Sequence, residues 1–182
     1  AQRPLLPAGS GVLNAGATDI LQEIAETFCI PVGTTFSAKG ALPEEHPLSV
    51  GTIDPSGPQH AYQAARECDV LIAVGARFHD FNTLAWCLYQ IPGSTRLIHF
   101  DIDPNELCRN SPADVALIAD ARLGLEALHH KLKEMSLKPD SFGEWKAQID
   151  DWRRRWLDEI KDKGKEKDGQ LSNIRILREA GE

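Results

Sequence analysis

The sequence predicts an α/β protein: a doubly wound, six-stranded parallel sheet with helices on both faces, followed by a C-terminal helical extension. Three observations carry this expectation. Short apolar runs with β character recur six times, helical stripes separate several of them, and glycine or carboxylate residues follow several of the runs. Parallel strands need crossovers, and right-handed crossovers distribute the helices to both sides of a sheet.

The first run, Pro4 to Leu6, leads into Ala8-Gly9-Ser10-Gly11-Val12-Leu13-Asn14-Ala15-Gly16, a glycine-rich turn that feeds a helix. Ile20, Leu21, Ile24, Ala25 and Phe28 then share one helical face. Ile30 to Val32 and the short Leu48 to Val50 follow, and Ala61, Ala64, Ala65 and Cys68 mark a second helix. Val70 to Val74 and Leu97 to Phe100 are nearly continuous apolar runs, as strands buried on both faces must be. The second of these ends in Asp101-Ile102-Asp103-Pro104. Proline suits the first turn of a helix, so the stretch predicts a strand-to-helix turn with both carboxylates at the top of the sheet. Val115 to Ile118 is the last run, and Leu123, Leu125, Leu128 and Leu132 form a third helical stripe ending near Glu134.

These elements place a core domain at residues 1–138. Beyond Lys138-Pro139, Trp145, Ile149, Trp152, Trp156 and Ile160 recur at steps of three and four along an otherwise charged helix. Three tryptophans on one stripe need a partner, either the body of the domain, a neighbouring domain or a stacked ligand. With the charged, glycine-bearing linker Lys161 to Gly169, this makes a second region at residues 139–168. Residues 169–182 read as the first helix of a further domain, and the chain as a fragment.

At 182 residues, with 42% hydrophobic and 26% charged, the chain holds enough apolar material for one well-buried domain and an appendage. Its 20 Lys and Arg against 27 Asp and Glu leave a net charge of -7, which argues against a general nucleic-acid surface. No apolar run reaches membrane-spanning length and the N-terminus lacks a signal-peptide pattern, so a cytoplasmic location is expected. Cys29, Cys68, Cys87 and Cys108 form no C-x-x-C pair and read as small core residues.

Three turns carry the candidate chemistry. Gly9 and Gly11 let the backbone approach a phosphate at a helix N-terminus, but their spacing departs from the dinucleotide fingerprint, and turn geometry accounts for them equally well. Gly75 and Ala76 leave space beside a strand end, where Arg77 offers a planar fork for phosphate or carboxylate; its alternative is an ion pair with Asp80, Asp101 or Asp103. His79 reads as a solvated turn residue. Asp101 and Asp120 close neighbouring strands and suit ribose hydroxyls. No Ser-His-Asp set, metal cluster or activated cysteine is evident, which leaves a nucleotide-shaped domain without visible catalytic machinery.

The ordered set A-G-S-G, I-P-V-G-T-T-F-S-A-K-G-A-L-P-E-E-H-P, D-V-L-I-A-V-G-A-R-F, I-H-F-D-I-D-P-N-E-L and A-D-A resembles the central domain of thiamine-diphosphate-dependent enzymes of the acetolactate synthase type, over Arg3 to Leu132. No one of these motifs is specific alone; their order is. The resemblance implies a Rossmann-like sheet flanked, in a full subunit, by a pyrimidine-binding domain and a diphosphate-binding domain that carries thiamine diphosphate and Mg2+. It implies 2-oxo acid decarboxylation or carboligation, a transferase or lyase activity, in a homodimer or homotetramer. This chain would hold no catalytic or metal-ligating residue, be inactive alone, and bind FAD structurally, as in acetolactate synthases, or ADP, as in oxalyl-CoA decarboxylase, or nothing.

Carried over by position, Gly9 and Gly11 line the cofactor, Thr35 and Phe36 flank it, and Gly75, Ala76 and Arg77 approach its ribityl or phosphate region. Asp101 and Ile102 meet the adenosine, while Asp120 and Ala121 close over the adenine end. Two departures fall on the flavin half: Gly51-Thr-Ile-Asp-Pro-Ser-Gly57 stands in place of a G-M-x-G-like segment, and Arg77-Phe-His-Asp-Phe81 in place of R-F-D-D-R. Two rival readings stay open. One is an oligomerisation scaffold with a vestigial nucleotide site, which expects Arg77 tied to Asp80 or Asp103. The other is an NAD-binding domain of the deoxyhypusine synthase or sirtuin kind, for which Lys39 is the only candidate catalytic residue.

Overall fold

The structure, a computed structural model, describes residues 1–163. Six strands form one parallel sheet: β1 (Pro4–Ala8), β2 (Val32–Thr34), β3 (Ser49–Thr52), β4 (Val70–Val74), β5 (Arg96–Asp101) and β6 (Val115–Ile118). Their order is β3-β2-β1-β4-β5-β6, the Rossmann-like topology expected, with β1 central and the winding direction reversing beside it. All five β1 residues are buried, since the strand has neighbours on both edges and helices over both faces.

The helices are α1 (Ser10–Asn14), α2 (Thr18–Phe28), α3 (Gln59–Glu67), α4 (Ala121–Glu134) and α5 (Gly143–Lys163). α2 packs with α1 and α4, and α3 with α5, two groups that right-handed crossovers place on opposite faces. α2 buries the stripe Ile20, Leu21, Ile24, Ala25 and Phe28, and stops where Cys29 takes the left-handed conformation, φ 59°. α4 differs from its expected stripe. Its buried positions are Ala121, Gly124, Leu125 and His129, so Leu123, about a quarter-turn or more off that face, is 63% exposed. Gly124 is small because a Cβ there would meet the Phe100 ring at 2.8 Å, so its absence lets α4 lie close on β5.

The expected helix at Pro104 does not form. The β5–β6 connection is a series of turns: the Asp103 carboxylate accepts from the Asn105 backbone N–H at 2.9 Å, and Cys108 has φ 58°. A side chain that bonds the backbone two residues ahead offers an alternative to the helix, and a left-handed residue one turn later stops propagation. The cysteine expectation also needs correcting. Cys29 and Cys68 are buried, but Cys87 and Cys108 are exposed, because both fall in the turn-rich connections above the sheet.

The tryptophan stripe packs on the body of the protein. Trp145 and Ile149 are buried, and the Trp145 indole N–H donates to Pro4 O at 3.0 Å. Trp152 meets Trp145 edge-on, and Trp156 meets the His60 ring edge-on with centroids 5.3 Å apart. Such aromatic pairs add about 1 kcal/mol beyond the area they bury. α5 runs to Lys163, into the segment expected as a linker; the rest of that segment and Leu171 to Glu182 lie outside the described residues. Among the described residues, no helix is long and apolar enough to cross a membrane.

Burial, with the Arg153 guanidinium as a second cause, pushes the His60 imidazole down to about 4 from its ordinary 6.5. The folded chain therefore keeps His60 neutral while the unfolded chain takes up a proton, so its contribution is complete above about pH 6.5 and is lost as pH falls toward 4. Urea unfolding at about pH 7, 6 and 5 should show a falling midpoint, and a shallower fall in His60→Gln, which cannot be protonated there. Equal slopes in the two proteins would exclude His60 as a source of the acid sensitivity.

Candidate functional site

A cleft of about 280 Å³ opens over the carboxyl ends of β1, β4, β5 and β6, beside the point where the winding reverses. Open α/β sheets bind ligands at such a point. Its floor is a backbone contact. Gly9 N–H donates to Val74 O at 2.9 Å and Gly11 N–H to Gly75 O at 3.3 Å, while Gly75 takes φ 59° and donates to Phe100 O at 2.8 Å. A Cβ on Gly9 would lie 1.9 Å from Gly75 O, and one on Gly11 would lie 2.8 Å from the Gly75 Cα. The glycines thus let the turn after β1 rest directly on the turn after β4. The Gly11 amide is spent on this contact, so it is not a donor left for a phosphate.

The walls gather Gly11, Gly75, Arg77, Asp101, Ile102, Asp120 and Ala121. Arg77 is exposed at the mouth and makes no ion pair within 4 Å among the described residues. Asp80, its expected partner, caps its own turn by accepting from Phe81 N–H at 2.8 Å. Asp103 is held below the usual carboxylate range first by the two Asn105 N–H groups; Arg77 and Arg109 act on it only as weaker charges at a distance.

Asp101 is buried, and one of its oxygens accepts from Asp103 N–H at 2.9 Å. Asp120 caps α4, one oxygen accepting from Arg122 and Leu123 N–H at 2.9 and 3.3 Å. Each carboxylate keeps a second oxygen with no hydrogen bond among the described residues. Behind Asp120, Arg122 donates to Asp19 at 2.7 Å and to the Gly16 carbonyl, tying the start of α4 to the end of the β1 turn.

The other candidate residues lie off the cleft surface. Gly9 is buried beneath the floor, and Ala76 is 5% exposed, its carbonyl accepting from His99 Nε2–H at 2.9 Å. Thr35 and Phe36 follow β2, across β1 from the cleft; Thr35 is buried and Phe36 is 64% exposed. His79 is exposed and likewise outside the cleft. Ser10, Asn14, Ala15 and Ala119 line it, although sequence reasoning did not select them. Ser10 and Asn14 lie within the glycine turn, and the signal for them is that Asn14 follows Gly11 by three residues and Ser10 by four, a helical spacing that puts it on their face.

The family described as thiamine pyrophosphate enzyme, central domain, matches residues 1–128. The chain belongs to that family. This central domain is 40% identical over 156 residues to the acetolactate synthase large subunit of Parasynechococcus marenigrum (strain WH8102), covering 86% of the chain and 25% of that protein. It is 42% identical over 137 residues to the probable acetolactate synthase large subunit of Methanocaldococcus jannaschii, covering 75% of the chain and 23% of the relative. The acetolactate synthase of Mycobacterium bovis is 33% identical over 183 residues, matching 100% of the chain and 29% of the relative. The chain therefore spans about a quarter of the length of these relatives.

The floor contact separates two kinds of glycine in this central domain. Gly9→Ala forces a methyl group into an unyielding backbone oxygen and should destabilise the fold by at least about 3 kcal/mol in denaturant melts. Gly16 also has positive φ, 58°, but nothing lies within 4 Å of a Cβ there, so Gly16→Ala should cost only the local strain, about 1 kcal/mol. Similar losses for the two variants would mean that the floor contact is not the constraint.

Proposed function

We propose that the chain is the central domain of a larger thiamine-diphosphate-dependent enzyme of the acetolactate synthase type, acting on 2-oxo acids, and that its cleft holds the adenosine diphosphate portion of FAD or ADP in a structural role. The observation that carries this reading is an Arg77 without an ion-pair partner facing a cleft whose Asp101 and Asp120 each keep a free oxygen. Arg77 supplies a fork for the diphosphate, and the two carboxylates accept from ribose hydroxyls. Ile102 and Ala121 provide apolar contact for the base, and Gly11, Gly75, Ser10 and Asn14 line the phosphate side. A cleft of about 280 Å³ suits an adenosine-sized group rather than a whole dinucleotide. Thr35 and Phe36 then flank the remainder of FAD, with Gly9 and Ala76 as supports behind the wall.

Thiamine diphosphate and its Mg2+ belong, on this reading, to the flanking pyrimidine- and diphosphate-binding domains of the same subunit. Among the described residues no set of three His, Cys, Asp or Glu side chains could hold a metal ion. Partner domains have a surface to cover. β6 is exposed at every position, and Ile118, Ile102 and Leu123, at 67%, 69% and 63% exposed, continue its apolar character beside the cleft. The full enzyme would assemble as a homodimer or homotetramer in the cytoplasm.

Both rival readings are weaker. The scaffold reading requires Arg77 to be tied to Asp80 or Asp103, and Asp80 is committed to its own turn. The NAD-enzyme reading rests on Lys39, whose amine pairs with Glu44 at 2.8 Å; that hydrogen bond raises its pKa, whereas a nucleophilic amine needs a lowered one.

Calorimetric titration of the chain with ADP and FAD tests the proposal. Binding should weaken about 10- to 100-fold in Arg77→Ala and in Asp101→Ala, the range expected when a charged hydrogen-bonding group is removed. FAD binding tighter than ADP would assign the flavin; ADP binding with no gain for FAD would assign the mononucleotide. Heat from neither ligand would reject the nucleotide role, and turnover of pyruvate by the chain with thiamine diphosphate would reject its catalytic silence.

A further inference from the structure

A second cavity, of about 420 Å³, lies between the end of β3, the first turn of α3 and the outer part of α5, and is lined by other elements than the nucleotide cleft. Pro58 and His60 come from the start of α3, and Arg153, Trp156 and Leu157 from α5. Four independent features of this cavity lack a counter-group.

The first is Arg153. Its guanidinium donates to the Ser49 carbonyl but has no carboxylate within 4 Å among the described residues, although the adjacent Arg154 and Arg155 both pair with Asp151. The second is His60, only 3% exposed, whose Nδ1 has no hydrogen-bond partner among the described residues. Third, α3 has no side-chain cap at Pro58 and no acidic residue in its first turn, unlike α4 with its Asp120 cap. The Ala61 amide donates to Pro58 O at 2.9 Å, which leaves the Gln59 and His60 amides and the positive end of the dipole for an external acceptor. Fourth, Trp156 and Leu157 give the cavity an apolar wall, and Leu157 is 43% exposed.

Two carboxylates lie near this cavity. Glu44 on the rim is neutralised by Lys39 at 2.8 Å. Asp54, buried in the loop before α3, has one oxygen accepting from Ser56 N–H at 2.8 Å and from the Ser56 hydroxyl. Its other oxygen is buried without a hydrogen bond among the described residues, but Asp54 does not line the cavity, whose unpaired positive groups are Arg153 and the α3 terminus.

We propose that this cavity is a second binding site, for a small organic carboxylate with an apolar body. The carboxylate would receive the Arg153 fork and the first amides of α3, in the geometry that favours guanidinium–carboxylate pairs, while the body lies against Trp156 and Leu157. The cavity shares no lining residue with the nucleotide cleft, although Gly51, Thr52 and Ser56 on its wall belong to the Gly51–Gly57 segment on the flavin side of the proposed nucleotide path.

NMR titration of the full chain with phenylacetate, benzylamine and inorganic phosphate tests it. Phenylacetate should give saturable shifts at the Gln59 and His60 amides and the Trp156 indole N–H, with Kd below about 10 mM, weakened at least about tenfold in Arg153→Gln. Arg153→Lys, which keeps the charge but not the fork, should fall between wild type and Arg153→Gln, and serves if the glutamine variant misfolds. Absence of saturation by about 50 mM, on a scale where such a site would be weaker than mM, would overturn the proposal. So would equal affinity in both variants and wild type, or equal binding of benzylamine or of phosphate, since an amine or a bare anion lacks one half of the recognised chemistry.

Discussion

The contact on which the rest of the structure depends is the approach of two backbones, Gly9 and Gly11 against Gly75. A distance that would put a Cβ 1.9 Å from a carbonyl oxygen leaves no room for any other residue at position 9. It brings the turn after β1 onto the turn after β4 at the winding reversal, and the left-handed Gly75 then redirects the chain outward. Two consequences follow. Arg77 emerges at the mouth of the cleft rather than continuing β4 into the core, and Ala76 stays buried where its carbonyl can receive His99. Burial, the main cause, keeps the His99 imidazole below its ordinary pKa, so this support is a neutral hydrogen bond and not a charge competing with Arg77.

The opposite wall uses one residue for two tasks. Asp120 caps α4 with one oxygen and faces the cleft with the other, so the helix start and the ligand surface are set by the same side chain. Arg122, two residues on, bridges to Asp19 and Gly16, linking the α4 start to the α1–α2 connection and the first turn of α2. An exposed pair of this kind contributes only about 0–1 kcal/mol to stability. Its effect is geometric: it limits how far the two walls can separate.

Sequence patterns revealed the sheet well because buried parallel strands are apolar runs, and three of the six runs differ from the observed strands by one residue or less at each end or not at all, as at Val70–Val74 and Val115–Ile118. The helix expected at Pro104 failed because proline is only compatible with a helix start, whereas the Asp103–Asn105 bond competes directly for the backbone. Leu123 does not join Leu125 on the buried face because close packing on Phe100 puts the small Ala121 and Gly124 there, and small residues do not stand out in a leucine pattern. In the cleft, charged residues at strand ends were legible, and Ser10 and Asn14 were not, since small polar residues beside glycines look the same whether they face a ligand or water. The separation of Thr35 and Phe36 from the cleft was invisible too. Adjacent strand ends in sequence order need not be adjacent in space when β1 stands between them.

The two halves of the proposed nucleotide path differ in physical character. On the β5–β6 side, polar groups are already oriented: Asp101 and Asp120 are each fixed by backbone N–H bonds that hold their free oxygens in place before any ligand arrives. On the β2–β3 side, Phe36 is 64% exposed, and the Asp54 carboxylate is wholly buried with one oxygen unpartnered. A group docking there would have to order an exposed aromatic side chain or desolvate beside a buried charge, and either cost reduces the affinity gained from added contact area. Preorganisation therefore concentrates the binding energy on the adenosine side. Extending the ligand from ADP to FAD gains affinity only to the extent that a neighbouring domain supplies the partners this half lacks.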